Sequence, residues 1–261
     1  MHPALRISIT GLEAQNTDIR TISNNLANVS TTGFKKDRAV FQDLLYQNIR
    51  QPGADSSQNS QLPSGLMLGT GVSVTASQKM HSQGSMVQTE NPLDLAVNGR
   101  GFFQIMRPDG TTAYTRDGHF QLNSQGQIVT PSGYQLVPAI TIPANAQTIT
   151  VGQDGTVSAM LSGSSSSTQV GTLQLADFIN PAGLQPMGEN AFLESSASGS
   201  PQVTTPGQQG VGSLIQGSLE SSNVNVVEEL VRMIETQRAY EMNARSVETV
   251  NKMLEFVTQV L

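Results

Sequence analysis

The sequence predicts an α+β chain. A helix at each end pairs with the other as a coiled-coil-like layer, with an antiparallel β domain in the middle and a long extended linker. Three observations carry this. Apolar residues near the N-terminus recur every three or four positions. Residues 224–261 do the same, with charge repeating every seven residues and no Gly or Pro. The centre breaks into short β-prone runs separated by Asp-Gly and similar turns.

In the N-terminal stretch, Leu5, Ile9, Leu12, Asn16, Ile19, Ser23 and Leu26 step by four and three. Ile22 and Val29 widen the stripe. A mean period of about 3.5 is the seam pattern of a coiled coil. The same spacing also describes an amphipathic helix lying on a globular core.

The C-terminal stretch weighs toward the seam. One register runs Leu230, Met233, Gln237, Tyr240, Ala244, Val247, Asn251, Leu254, Thr258 and Leu261. Arg238, Arg245 and Lys252 form one charged row, and Glu241, Glu248 and Glu255 another. Glu228 to Arg232, Glu241 to Arg245 and Glu248 to Lys252 are four apart in the favourable order, each giving roughly 0.2–0.5 kcal/mol. Ser221 or Ser222 is the expected N-cap. Polar seam residues Asn16, Gln237 and Asn251 would restrict register at some cost in stability.

In the centre, Phe102–Met106, Thr112–Thr115, Phe120–Leu122, Gln127–Val129, Tyr134–Val137, Thr148–Val151, Thr156–Leu161 and Gly171–Ile179 read as strands. Between them lie Asp109-Gly110, Asp117-Gly118, Ser124-Gln125-Gly126, Pro131-Ser132-Gly133 and Asp154-Gly155. Asp-Gly supplies the positive φ that tight hairpins need. Gln51–Gly71 and Ser195–Gly212 are rich in small polar residues and in isolation read as flexible linkers. The first is long for a structureless loop, which makes it disordered or functional. The expected divisions are 1–46 (helix and turn), 47–71 (extended linker), 72–212 (β-rich middle) and 213–261 (C-terminal helix).

Composition narrows the function. Only 37% of the 261 residues are hydrophobic and 13% charged, with no Trp. That is thin for one compact core, and a surface with few charges suits packing against copies of itself. A net charge of −6 argues against nucleic acid, which needs a dense basic face. With no cysteine, disulfides and thiolate metal sites are excluded. MHPALRISITGLEAQ has no apolar core of a secretory signal peptide, and no run approaches eighteen apolar residues.

Enzyme chemistry finds no constellation. His2, His81 and His119 stand in no metal-ligand spacing, and there is no GxSxG elbow. GLMLGTG at 65–71 lacks the Lys-Ser/Thr of a phosphate loop. Asp94, Asp109, Asp117 and Asp154 mostly take turn positions, where Asp is favoured conformationally. The expectation is a non-enzyme with no catalytic, cofactor or metal residues.

One stretch remains, SNNLANVSTTGFKKDR at 23–38. Gly33 suits a left-handed residue after a helix end. The amides of Asn24, Asn25 and Asn28 can satisfy carbonyls of the helix or a neighbouring backbone. Phe34 offers an apolar anchor, and Lys35, Lys36 and Arg38 can bond carboxylates. A solvated helix cap and a contact with a neighbouring subunit explain this stretch equally well.

The stretch resembles the N-terminal signature of bacterial flagellar axial proteins, the rod and hook subunits. Leu26-Ala27-Asn28, Thr31, Gly33, Phe34 and Lys35 fall on its motif positions. Residues 222–254 resemble the family's C-terminal signature, although relatives often carry an acid at Asn251. GFF…YTRDGHF…VTPSGYQL resembles the β domain of hook and rod proteins. The chain has no room for the extra outer domain of hook subunits, and QNIRQPGADSSQNSQLPSGLMLGTG resembles the distal members of the rod.

The resemblance implies a self-assembling hollow helical drive shaft that transmits torque to the hook. It implies export without a cleaved signal through the flagellar type III apparatus, and a basal body crossing periplasm and outer membrane. The partners implied are copies of the chain, proximal rod proteins, the hook protein or hook–rod junction, and the P-ring and L-ring bushing. The expected subunit interface comprises Leu5, Ile9, Leu12, Asn16, Ile19 and Leu26 on the first helix and Asn28, Gly33, Phe34 and Lys35 after it. On the second helix it comprises Leu230, Met233, Gln237, Tyr240, Val247, Asn251, Leu254 and Leu261. The competing classes are a proximal rod or hook-like subunit, and a secreted adhesin or enzyme with a helical stalk. A clustered acid pair or an apolar pocket in the β domain would mark the latter.

Overall fold

The computed structural model describes residues 3–53, 55–57, 60–61, 64–163 and 166–260, with backbone alone at 55–57, 60–61, 257–258 and 260. The chain divides into two units, each made from separate stretches. One comprises Met1–Leu26, Asp37–Gln78 and Asn225–Leu261, and the other Ala27–Lys36 and Lys79–Val224. The chain passes between the two units at 26, 36, 78 and 224. Hydrogen-bond partners decide which stretch belongs where, and composition does not reveal them.

The helical unit holds α1 (Pro3–Ala27), β1 (Asp37–Asp43), β2 (Gln47–Arg50), β3 (Asp55–Ser57), β4 (Ser60–Gln61), β5 (Leu66–Leu68), β6 (Val72–Lys79) and α2 (Val226–Val260). β1 pairs with β6. β2 pairs antiparallel with β5, placing Gln47 opposite Leu68 and Asn48 opposite Met67. The stretch read as a linker is therefore, where described, a two-stranded arm. Composition hides this because Leu45, Tyr46, Ile49, Leu66, Met67 and Leu68 stay exposed, with no apolar alternation to mark a buried face. At 35 residues, α2 extends roughly 50 Å at 1.5 Å per residue. Its N-cap is Asn225, not Ser221 or Ser222. Asn225 Oδ1 accepts the Val227 and Glu228 amides at 3.0 and 3.4 Å.

The β unit begins with β7 (Met86–Gln88), β8 (Leu95–Asn98), β9 (Phe102–Met106), β10 (Thr112–Thr115), β11 (Gln121–Leu122), β12 (Ile128–Val129) and β13 (Gln135–Val137). It continues with β14 (Ala146–Val151), β15 (Thr156–Leu161), β16 (Ser167–Thr172), β17 (Leu175–Asp177), β18 (Gln185–Gly188), β19 (Ala191–Leu193), β20 (Gln202–Thr204), β21 (Ser213–Gln216) and β22 (Ser218–Glu220). Its largest sheet runs β11-β12-β13-β9-β10-β19-β18, with β17 bridging β9 and β20. β14, β15 and β16 form a separate sheet, while β21 pairs β8 and β22 pairs β7. Every pairing with a resolved register in this unit is antiparallel.

β9 is the axis of this unit because both its faces are buried. Phe103 and Ile105 point into one core with Leu95, Phe120, Leu136 and Leu175. Phe102 points into an aromatic cluster with Tyr114, Phe178 and Phe192. Phe103 meets Phe120 edge-on at 5.1 Å and Tyr114 meets Phe178 at 4.8 Å, the geometry ring quadrupoles favour.

Three expectations are corrected here. Gly171–Ile179 is two strands, because the chain leaves β15 after Thr172 and joins β9 and β20 from Leu175. Ser195–Gly212 is built into the fold: β20 pairs with β17, and Ser198, 1% exposed, anchors a turn through the Ser195 carbonyl at 2.9 Å. Asp117-Gly118 is not a tight turn with positive φ. Gly118 is needed because a Cβ there would lie 1.6 Å from the Leu95 carbonyl oxygen. The glycines of the other four predicted turns do have positive φ.

Candidate assembly site

Two surfaces matter, one in each unit. In the helical unit α1 and α2 run antiparallel, and their contacts recur every seven residues. Asn25 Nδ2 donates to Glu229 Oε2 at 3.3 Å. Asp18 receives Arg232 at 3.3 Å and the Thr236 hydroxyl at 3.2 Å. Gly11 faces Asn243, whose amide nitrogen would lie 3.0 Å from an added Cβ. Beside these contacts runs a groove of about 540 Å³ lined by Ala14, Gln15, Ala239, Phe41 and Val72. Polar groups and small side chains make these contacts, and Ile22, fully buried, lies on the same face of α1 as Asp18 and Asn25.

The facing positions are 11, 18 and 25 with 229, 236 and 243. Each lies one residue before the predicted stripe, at 12, 19 and 26 with 230, 237 and 244. One residue is about 100° of helix rotation. The predicted apolar stripe therefore lies beside the intramolecular contact. Leu5, Leu12, Ile19, Leu26, Met233 and Val247 are half-buried. Ile9, Asn16, Leu230, Gln237, Tyr240, Asn251 and Leu254 are exposed. Leu261 lies outside the described residues. Of the predicted ion pairs, Glu248–Lys252 forms at 2.6 Å, whereas Arg232 reaches across to Asp18.

Asn25 is fully buried, and its amide clasps one peptide group on each side. Nδ2 donates to the Asp37 carbonyl at 2.9 Å and Oδ1 accepts the Asp37 amide at 2.8 Å. Asn25 thus meets the expectation that an amide of this stretch bonds a neighbouring backbone.

In the β unit, residues 27–36 form a seated strap. Thr32 donates to Asp117 Oδ1 at 3.0 Å, and Asn190 Nδ2 donates to the Thr32 carbonyl at 3.1 Å. Gly33 has φ +67°, and its amide donates to the Glu220 carbonyl at 2.8 Å. A Cβ at Gly33 would lie 2.7 Å from the backbone of Arg116 and Asp117, so both conformation and space require glycine. Phe34 lies under the Lys79 ammonium at 5.2 Å, beside a pocket of about 220 Å³ shared with Pro186 and Phe192. Lys36 donates its amide to Asn223 Oδ1 at 2.8 Å, and Asn223 Nδ2 holds the Met80 carbonyl at 2.8 Å.

Lys35 closes the strap. Its side chain is wholly buried, with the ammonium 2.5 Å from Glu220 Oε1 and 2.8 Å from the Ser82 carbonyl. Glu220 Oε2 also meets Arg116 at 3.3 Å, and Oε1 accepts the Gly84 amide at 2.8 Å. Arg116 donates further to the Gly99 carbonyl at 2.7 Å. Two cations thus share one carboxylate, and the Ser82, Val97 and Gly99 carbonyls accept further bonds from them, while the buried Arg116 Nε has no acceptor among the described residues. Burial lowers the proton affinity of Lys35 and Arg116, and Glu220 opposes that by attraction.

Lys35 and Gly33, expected at a neighbour's surface, therefore lie buried in the chain's own β unit. Phe34 and Asn28 are half-buried there. Sequence reasoning missed Glu220, Arg116, Asn223, Asp18 and Glu229. Glu220 stands alone in a polar stretch and Arg116 beside Asp117 in a predicted turn, with no period to distinguish either from a solvated charge. The recurrence of small or polar residues at Gly11, Asp18 and Asn25 was the available signal for the helix pairing.

The chain matches three known families along its length. Residues 5–35 match the flagella basal body rod protein family, residues 96–159 the flagellar hook protein FlgE/F/G D1 domain, and residues 215–260 the flagellar basal body rod FlgEFG protein C-terminal family. Among curated relatives, the flagellar basal-body rod protein FlgG of Buchnera aphidicola subsp. Schizaphis graminum is 53% identical, covering all of both chains. FlgG of Caulobacter vibrioides is 45% identical over 98% of each. FlgG of Bacillus subtilis is 35% identical over 97% of this chain and 96% of the relative. The first and last matched segments contain the strap and the two helices that carry the contacts above, so the chain belongs to the flagellar basal-body rod protein family and is a structural subunit of that rod.

Proposed function

We propose that the chain builds the distal part of the rod, polymerising into a hollow helical tube that transmits motor torque to the hook. The observation that carries this is the apolar stripe left beside the intramolecular pairing of α1 and α2. Leu230, Tyr240 and Leu254 stand roughly two-fifths exposed on one helix, and Ile9 likewise on the other. A monomer gains nothing from wetting such a face, whereas burial against sister subunits stabilises it by roughly 25 cal/mol per Å². Repetition of one head-to-tail contact yields a filament whenever the rotation does not close.

On this reading the strap and its ion network hold the β unit together, and Asn16, Gln237 and Asn251 set the register between copies. The arm at 47–71 lies across adjacent subunits and stiffens the tube. The helices gain most of their order on docking, which suits export through a narrow type III channel without a cleaved signal. The rod crosses periplasm and outer membrane, meeting proximal rod proteins, the hook or hook–rod junction, and the P-ring and L-ring. The subunit performs no catalysis.

The direct test is Leu254→Asp. The variant should keep the β unit folded, as judged by its amide spectrum, yet fail to enter rods seen by electron microscopy. Normal incorporation would remove the helical layer from the mechanism.

A further inference from the structure

His81 occupies an unusual place in the β unit. Its ring stands edge-on to Phe102 and to Phe192, both at 5.5 Å between centroids. Both ring nitrogens are buried without a well-formed hydrogen bond. The residues on either side hold the strap: the Ser82 carbonyl accepts Lys35, and the Met80 and Ser82 carbonyls accept Asn223. The charged groups around the ring come from three elements. Lys35 comes from the strap, Lys79 from the end of β6, and Arg116 from the loop after β10. Glu220 of β22, already shared by Lys35 and Arg116, is the carboxylate of the cluster. β9 and β19 present only the phenyl rings of Phe102 and Phe192 to the imidazole.

We propose that His81 makes the seating of residues 27–36 sensitive to mild acid: a proton on its ring places a further cation among Lys35, Lys79 and Arg116 inside an aromatic box, and the strap is released. The energetics follow from the geometry. An imidazolium enclosed by the Phe102 and Phe192 rings gains no hydrogen-bond acceptor from them, and its buried nitrogens lie away from solvent. Burial, then the three cations in turn, push the ring's proton affinity down to about 4, and the Pro181 carbonyl opposes this only in part.

The direction is fixed by linkage. An opened strap exposes an imidazole that binds its proton near pH 6.5, while the seated one does so near 4. Between these values the opened state holds more protons. Stability of the seat is thus complete above about pH 6.5 and falls as pH drops toward 4, where the loss levels off. The full span favours opening by roughly 300-fold, and at pH 4.5 by roughly 50–100-fold.

The test is amide hydrogen exchange on the full-length chain, corrected for intrinsic rates, at pH 7 and 4.5. Protection at the Gly33, Lys36 and Met80 amides should fall by that 50–100-fold in the wild type. In His81→Leu, which fills the aromatic box without a titrating group, the fall should shrink to a few-fold. An equal fall in His81→Leu would overturn the proposal, since another group would then be responsible. In the unmodified protein, the His81 ring carbon followed by NMR should titrate below pH 5, in step with the loss of protection. A ring titrating near 6.5 would overturn the proposal whether or not the variant folds.

Discussion

The Lys35 ammonium lies 2.5 Å from the Glu220 carboxylate, 185 positions away in sequence, and neither side chain touches solvent. Through this bond the strap at the end of the first helix and the last strand before the second become parts of one unit. Burying such a pair is costly, and Arg116, Ser82 and Gly84 satisfy the groups that the pair alone would leave open.

Glu220→Gln keeps the shape of that carboxylate and removes its charge. Lys35 then loses its counter-ion, and Arg116 keeps only the attraction of Asp177. Breaking a buried pair in this way costs about 3–5 kcal/mol. Urea unfolding of the full chain should show a midpoint shift of that size. Adding Lys35→Met to Glu220→Gln should recover part of it, because one stranded cation is gone.

Gly33→Ala should cost at least about 1–3 kcal/mol for the left-handed backbone. The collision of its Cβ with the peptide between Arg116 and Asp117 adds to that. The strap should lift before the sheet does. Exchange at the Gly33 and Lys36 positions should rise while that of Phe103 and Ile105 stays slow. Uniform acceleration would mean the strap and sheet open as one.

Asn25→Ala removes the amide that bonds both polar groups of the Asp37 backbone and reaches Glu229. Each buried group that loses its partner costs about 1–3 kcal/mol. The loss should appear in the helical unit as lower helix content on heating, and near-ultraviolet signals from Tyr114 should not change.

Deleting residues 54–66 removes most of the arm between Gln47 and Leu68. If the arm stiffens the assembly across neighbouring subunits, the variant should form rods that bend in electron micrographs. Rods as straight as those of the wild type would rule that role out.

Much of the architecture was legible from local patterns. Strands Phe102–Met106, Thr112–Thr115 and Thr156–Leu161 appear where alternation and turn residues place them, because a short antiparallel strand is specified by its own few residues and the turn beside it. The missed strands β8 and β21 pair with each other across more than a hundred positions, so neither carries a local turn signal. The seat of the strap was legible only at Gly33, through its conformational demand. Lys35 reads in the sequence as bonding a carboxylate of a neighbouring subunit, because nothing nearby in the chain announces Glu220.

Residue order alone was enough to establish two terminal helices, a middle of short strands and an apolar stripe on each helix. These properties depend on neighbours within a few positions, where periodicity and turn chemistry act. Which face of each helix meets the other, and which lysine is buried, depended on partners brought together by folding. A one-residue shift turns a helix by about 100°, and the small and polar residues Gly11, Asp18 and Asn25 allow close, hydrogen-bonded approach there. Ile22 is buried on that face, while Ile9, Leu230, Tyr240 and Leu254 are left exposed beside it.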